Sequence, residues 1–284
     1  MRKTLLSIVL SFLIFMFTVP VGCTDKKPQQ ANDTTTDSVL TDTSSIDSTE
    51  ALIEETPMPK AADELFDDFI FNFAANRKLQ KERIVFPLKV YRKGKLAKEI
   101  PMKQWKMEHF FMRQQYYTLI FDNKRQMNLV KDTSVSHVVI EKIFFRKKLV
   151  QQFLFNRIDG KFMMTSLNYK PLYTNDNADF LRFYDHFSRD SVFQVASMAD
   201  EVEFSAPDPN NDFANINGIM MPQQWPDFKP ALIPRDKIYN IIYGQKYTET
   251  KRKLFVIRGI SNSLEIDMQF RKKGGRWMLV KFNS

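Results

Sequence analysis

A hairpin pattern that occurs twice constrains this chain more than any other feature. Near the middle, Phe155-Asn156-Arg157-Ile158-Asp159-Gly160-Lys161-Phe162 runs on to Leu167-Asn168. At the C-terminus, Phe270-Arg271-Lys272-Lys273-Gly274-Gly275-Arg276-Trp277 runs on to Phe282-Asn283, at a constant offset of 115 residues. Asp-Gly and Gly-Gly suit the two φ > 0 positions of a tight type I′ turn, so each copy predicts strand, turn and return strand. A long-period repeat divides a chain before any element is assigned. Here it predicts two units, 63–170 and 178–284, joined by a connection at 169–177 that carries Pro171, Asn175 and Asn177.

Both units open on one apolar stripe. Leu65, Phe66, Phe69, Ile70 and Phe73 recur at helical spacing, and Phe180, Phe183, Tyr184 and Phe187 repeat the pattern at an offset of 114. Asp63 is placed to cap the first helix, and Asp67 and Asp68 suit its dipole. A short second helix is predicted over 77–83, then strands over 84–91, 116–121, 126–130, 134–145, 149–157 and 162–168. In the second unit, Pro222-Gln223-Gln224-Trp225 matches Met102-Lys103-Gln104-Trp105 at an offset of 120. Tyr239-Asn240-Ile241-Ile242-Tyr243 matches Tyr117-Thr118-Leu119-Ile120-Phe121 at 122. Residues 204–226, with Pro207, Pro209, Asn210 and Asn211, read as a long loop. Residues 264–271 alternate apolar and polar, one face wet and one packed. Helices followed by runs of antiparallel strands predict an α+β fold. With 26 Phe and 43% hydrophobic residues, the chain has material for a real core.

The first 22 residues have the shape of a secretory signal. Arg2 and Lys3 precede an apolar run too short to span a membrane comfortably. The run ends Pro20-Val21-Gly22-Cys23, which resembles the bacterial lipobox. That resemblance implies diacylglycerol on the Cys23 thiol and cleavage before it. Cys23 is the single cysteine, so an exported chain has no disulfide partner for it. Two or three acyl chains, at about 0.8 kcal/mol per buried CH₂, hold a protein firmly. Thr24 stands where Asp retains such lipoproteins in the inner membrane, which points to the outer membrane. Residues 23–62 then predict a disordered acidic tether, rich in Thr, Ser, Asp and Pro. As a flexible coil it would reach on the order of 35 Å. Its Asp33-Thr34-Thr35, Asp37-Ser38-Val39 and Asp47-Ser48-Thr49 are similar to the O-glycosylation acceptors of some anaerobic Gram-negative bacteria. The mass of the isolated tether peptide tests this: added hexose mass is expected, and an unmodified mass ends the idea.

Helix-then-sheet order, taken with the paired motifs, resembles the nuclear-transport-factor-2-like superfamily, also called SnoaL-like or cone-shaped domains. Lipobox, tether and two such units together resemble an uncharacterised family of lipoproteins from gut-type anaerobes. The resemblance implies two tandem cones, each an N-terminal helix packed on a curved antiparallel sheet. Such a cone either holds a small ligand or is filled. Enzymes of this superfamily, ketosteroid isomerases among them, set an Asp base and phenolic donors inside an apolar cone. Here Phe66, Phe69, Phe73, Phe180, Phe183 and Phe187 would fill the cones. The remaining polar candidates for isomerase or hydrolase chemistry are Asp68, Tyr117, Asp185 and Tyr239. Those for ligand binding are Tyr116, Tyr184, Tyr243, Trp105 and Trp225. His109, His137 and His186 show no metal-type spacing, and no Gly-rich phosphate loop, HExxH, GxSxG or CxxC occurs. No metal and no cofactor is predicted.

Charge separates tether from body. Residues 24–62 carry three Lys against eight acidic residues, a net of −5, whereas 63–284 carry +12. That field favours anionic partners. Arg146, Lys147 and Lys148, with Arg271, Lys272, Lys273 and Arg276, predict a basic rim for an acidic polysaccharide, a lipid head group or an anionic metabolite; Lys251, Arg252 and Lys253 add to it. Nucleic acid does not fit an exported lipoprotein. The sequence therefore predicts a cell-envelope lipoprotein that binds a small molecule, an anionic glycan or a protein, with a purely structural module or an enzyme as alternatives.

Overall fold

The computed structural model describes residues 65–208 and 210–284, with the side chains of 212 and 213 excepted. The leader, Cys23, the tether and the Asp63 cap lie outside the described residues.

Two short helices begin each half. In the first, α1 (Phe66–Ala75) is followed by α2 (Arg77–Glu82), whose first turn is capped by the Asn76 side chain accepting from Lys78 and Leu79 N–H. A ten-residue helix is marginal alone in water. What holds α1 is its stripe of Phe66, Phe69, Ile70 and Phe73, all buried. Each fully buried side chain of this size contributes about 1.5–3 kcal/mol. In the second half, α3 (Ala178–Phe187) buries Phe180, Leu181, Tyr184 and Phe187. Asp190 then caps α4 (Ser191–Ala196).

One device recurs in both halves. Gln80 on α2 donates from Nε2 to the Phe73 carbonyl at 2.9 Å and accepts the Trp105 indole N–H at 3.1 Å. Gln194 on α4 donates to the Phe187 carbonyl at 2.8 Å and accepts the Trp225 indole N–H at 3.0 Å. Each glutamine satisfies a helix-end carbonyl and a buried indole together. It accounts for the Trp of each repeated Gln-Trp pair, whose indole is held by a glutamine from the second helix of its half and not by its Gln104 or Gln224 neighbour.

The strands are β1 (Ile84–Arg92), β2 (Lys95–Ile100), β3 (Tyr116–Phe121), β4 (His137–Phe144), β5 (Leu149–Ile158), β6 (Lys161–Pro171), β7 (Met198–Asp208), β8 (Asn211–Met220), β9 (Lys237–Ile242), β10 (Arg252–Gly259), β11 (Glu265–Lys273) and β12 (Arg276–Asn283). They form one twelve-stranded sheet in the order β2-β1-β6-β5-β4-β9-β3-β10-β11-β12-β7-β8. The order is palindromic if β3 and β9 are equivalent, but those two have changed places. β4 pairs antiparallel with β9, not β3, and β10 pairs antiparallel with β3, not β9. Each third strand completes the other half's sheet.

The register shows what the exchange does. Val139 faces Ile242 across β4 and β9, while Leu254 faces Phe121 across β10 and β3. Val139 and Leu254 are 115 apart, so Ile242 corresponds to Phe121 at an offset of 121. The sequence match at 122 is one residue out, and one residue in a strand turns every side chain to the other face. Tyr117, Leu119 and Phe121 therefore share one buried cluster with Tyr239, Ile241 and Tyr243. Ile120 and Ile238 belong to a second cluster, with α3, on the other face.

Two expected elements differ. Residues 126–130 lie in a 3₁₀ stretch, Lys124–Lys131, not a strand; Asn123 Oδ1 accepts from Arg125 and Gln126 N–H at its start. Because β9 separates β3 from β4, this segment is a crossover, and a hairpin strand has no neighbour there. Residues 204–226 are not a loop but largely β7 and β8. β8 and β2 are the two edges of the sheet, and β2 is exposed almost throughout. An edge with no packed face carries no alternation to read, and Pro207 is tolerated near the margin for the same reason. The duplicated hairpins close as predicted, with φ of 49° and 77° at Asp159-Gly160 and 56° and 79° at Gly274-Gly275.

The exchange makes the halves interdependent. The fragment 63–177 lacks β9 beside β4 and has no β10 for β3. It is expected to show no cooperative thermal transition as a monomer by circular dichroism, whereas the full chain unfolds in a single transition. A sharp monomeric transition of the fragment would show the exchange to be dispensable.

Candidate functional site

The helix-to-sheet interiors are packed with rings. Phe66 lies 5.3 and 5.1 Å from Phe155 and Phe162, and Phe73 lies 5.5 Å from Phe155, all edge-on. Across the sheet, Phe180 sits 5.4 Å from both Phe270 and Trp277. Among the described residues, rings packed in this way occupy the space between helix and sheet. The polar concavities lie at the margins.

A cleft of about 570 Å³ opens between the start of α3, the 245–251 loop and the β11–β12 turn. A buried ion pair shapes it. Asp122, just past β3, accepts Lys253 Nζ at 2.5 Å on one oxygen and Thr248 and Glu249 N–H at 2.8 and 2.9 Å on the other. Both side chains are almost fully buried. A buried pair repays its desolvation only when its remaining valences are filled, and here the loop backbone fills them. Lys253 also stands 4.9 Å over the Tyr247 ring. On the opposite wall, Asp179 in the first turn of α3 accepts Lys272 Nζ at 2.6 Å and the Trp277 indole at 3.0 Å. Burial raises the Asp179 carboxyl, but those two donors outweigh it and leave the group below its ordinary range. Between the walls lies Asn177, 2% exposed, beside the Tyr247 hydroxyl. Neither of its amide atoms closes a hydrogen bond of good geometry, and the Tyr247 hydroxyl is the polar group that acts on it. Leaving such a group unsatisfied costs about 1–3 kcal/mol.

Two buried carboxyls lie deeper. Asp67 on α1 accepts Tyr117 Oη at 3.2 Å and Tyr243 Oη on its other oxygen. Burial pushes the Asp67 carboxyl up, against the hydrogen bonds and the nearby Arg258. Burial, and then the Asp67 charge, pushes both phenols up. Glu141, in mid-β4, is 1% exposed. It accepts amide N–H groups from Gln152 at 2.9 Å, Asn175 at 2.7 Å and Asn240 at 3.3 Å. Burial raises its carboxyl, with the Gln152 bond and distant Lys170 opposing. Among the described residues, no group of three or more His, Cys, Asp or Glu is placed to hold a metal ion.

Residues 45–284 match the model of a family described as Domain of unknown function (DUF4348). The chain belongs to this family. A crystal structure of an NTF2-like protein from Bacteroides fragilis NCTC 9343 is 40% identical, with a TM-score of 0.72 over 80% of this chain and 98% of that one. No curated protein matches. The DUF4348 chain is thus a mixed α+β protein with a large curved sheet and few helices, of NTF2-like fold.

Within this DUF4348 fold the sequence candidates scatter. Asp68 is exposed on the outer side of α1, so it does not meet Tyr117; its neighbour Asp67 does. The signal was available, since Asp67 follows Phe66 and precedes Ile70 on the buried side of the helix. Asp185 pairs with Arg189 at 2.7 Å on α3, across the sheet from Tyr239. Tyr239 Oη instead reaches Glu108 at 3.5 Å. Tyr184 is buried, donates to the Pro234 carbonyl at 2.9 Å and stacks on Phe255. Trp105 and Trp225 are consumed by the glutamine device and sit in different clusters, so neither forms a surface between the halves. Tyr116 is half-buried and lines a separate cleft of about 520 Å³ with Ser188 and Lys229. His137 meets Asn156 at 2.7 Å and His186 stacks on Phe193; His109 is half-buried. The basic rim does not assemble. Arg146, Lys147 and Lys148 follow the end of β4, whereas Arg271, Lys272, Lys273 and Arg276 flank the turn after β11. β4 and β11 run antiparallel through β9, β3 and β10, so the two groups lie at opposite ends of the sheet. Arg146 also pairs with Asp236 at 3.0 Å.

Glu141 yields a pH test. Its folded pKa is raised above 4.5, so its stabilising effect is full below about that pH and is lost as pH rises through the folded value. Glu141→Gln copies the protonated form, and Asn240 can turn its unpaired Oδ1 toward the new amide. Urea midpoints of variant and wild type are expected to coincide near pH 4.5, with the variant the more stable at pH 7. A less stable variant at pH 7 would show that the native carboxyl is kept ionised.

Proposed function

We propose that this chain is a lipid-anchored cell-envelope protein, held at the outer membrane through Cys23, whose NTF2-like module binds a small polar ligand rather than transforming it. Each half acts as one cone, and the two are fused through their exchanged third strands. The observation that carries the reading is Asn177: a buried amide in the lining of the 570 Å³ cleft that lacks a well-formed hydrogen bond and has the Tyr247 hydroxyl beside it. A ligand that both donates and accepts, such as a sugar hydroxyl, satisfies it. With Lys253 already neutralised by Asp122, Lys251 and Lys272 stand against Asp176, Asp179 and Glu249, so the walls carry little net charge, which suits a polar ligand of low net charge.

Against turnover stands the state of the carboxyls. Both Asp67 oxygens are already taken by phenols, and Glu141 is enclosed by three amides. A general base needs a free reach to its proton. Among the described residues no helix is long and apolar enough to cross a membrane, so attachment in this reading rests on the lipid.

Two measurements test the two parts. Metabolic labelling with an alkynyl fatty acid should mark the wild-type chain and not Cys23→Ala; equal labelling would remove the anchor. A thermal-shift panel of neutral and uronic-acid-bearing oligosaccharides should contain a member that raises the melting temperature of wild type but not of Asn177→Ala. A panel without effect on wild type counts against the ligand class.

A further inference from the structure

A second cleft, of about 400 Å³, lies on the first cluster's face between the 107–114 segment and the β4–β9 pair. It exists only because of the strand exchange: Glu108, His109, Arg113 and Lys142 come from the first half, Lys237 and Tyr239 from the second. Lys142 and Tyr239 are cross-strand partners, and Lys237 lies two residues from Tyr239 on the same side of β9. The two ammonium groups flank one ring, with Lys142 Nζ 5.3 Å and Lys237 Nζ 5.4 Å from the Tyr239 centroid.

Charge is not balanced here. Glu108 is the single carboxylate lining the cleft, and it is occupied: it accepts Lys142 Nζ at 3.2 and 3.3 Å, the Phe110 N–H at 3.1 Å and Tyr239 Oη at 3.5 Å. Lys142 is thereby neutralised and held in place. Lys237 and Arg113 make no ion pair among the described residues. Holding cations together without a counter-charge costs stability unless something anionic shares them. Burial lowers the Lys237 ammonium, Lys142 lowers it further, Glu108 opposes and Arg113 adds to the lowering. Such a cluster in a concave site is what recognition of an oxyanion requires: donors that converge from two directions, one of them a guanidinium.

We infer that this cleft binds a small dianion, a phosphate- or dicarboxylate-bearing molecule, between Lys237, Arg113 and Lys142, with Tyr239 Oη as a further donor. The phenol can exchange Glu108 for the ligand, because its bond to Glu108 is long. The site is independent of the Asn177 cleft and does not depend on that proposal.

The test uses the full chain at low ionic strength, with inorganic phosphate, succinate and vesicles containing phosphatidylglycerol as separate probes. Wild type is expected to bind phosphate or succinate, seen by calorimetry and as a rise in melting temperature. Lys237→Gln, which keeps the stem and the Lys142–Glu108 pair, should weaken that binding by about tenfold or more, as loss of a charge-assisted bond does. Without anion the same variant should melt no lower than wild type, since it removes a repulsion; this separates lost binding from lost folding. The Lys237 Nζ pKa, followed by NMR, should rise when phosphate is added. Vesicle binding lost in Lys237→Gln, with no response to either free anion, keeps the site and assigns its phosphate to a lipid head group. Equal affinity of wild type and Lys237→Gln for every probe, or no binding by wild type, overturns the inference.

Discussion

The junction at the centre of the sheet rests on one buried carboxyl and the amides gathered on it. Glu141 is in β4, Asn240 in the exchanged strand β9, Gln152 in β5 and Asn175 in the connection between the halves. Three separate parts of the chain therefore close on one group. Around it, β3 and β9 are the innermost strands and are buried on nearly every residue. They meet as a parallel pair, with Thr118 opposite Asn240 and Thr118 Oγ1 donating to the Tyr239 carbonyl. A parallel pair cannot come from a tight hairpin. The chain must cross over, and the 3₁₀ crossover at Lys124–Lys131 and the 243–251 segment follow from that requirement. The second segment is itself fastened by the buried Asp122–Lys253 pair.

Exchange has a chemical consequence. Because the two central strands contribute to both faces, the polar side chains of the first face are drawn from both halves. Tyr117 of β3 and Tyr243 just past β9 meet on Asp67 of α1, and Tyr239 of β9 meets Glu108 and Lys142. The second face receives different groups, with Asn177, Tyr247 and Asp179 at its margin. Two halves built from one repeated pattern thus present unlike surfaces. The interiors do not differ in this way. Phe stripes of both helices meet Phe, Met and Trp of the sheet, and recognition is left to the rims.

Much of this architecture was legible in the chain. The helical stripes, the two hairpins with their φ > 0 turns and the strands 84–91, 149–157 and 264–271 announce themselves because each has a face that must be buried. The edges β2 and β8 did not, since they have no such face. Segment 126–130 reads as a strand in the sequence because apolar and polar residues in alternation suit one equally well when nothing local shows that another strand lies in the way. Among site residues, the sequence directed attention to Asp68 and to the two Trp. A step of one residue on a helix separates Asp68 in water from Asp67 under the sheet. The Trp indoles are spent on glutamines that lie 25 and 31 residues away.

By itself the sequence determined the local elements, the duplication and the aromatic filling, because turn chemistry, helical spacing and alternation act over a few residues. It also carries, around Cys23, a pattern that resembles a lipobox. Only the tertiary structure decided which half each central strand would join. β3 and β9 are both short apolar strands buried on nearly every residue, so no local pattern says which neighbour each will take. The one-residue difference between a sequence offset of 122 and a structural offset of 121 is the trace of that decision. On it depends which tyrosines meet Asp67 and which lysines flank Tyr239.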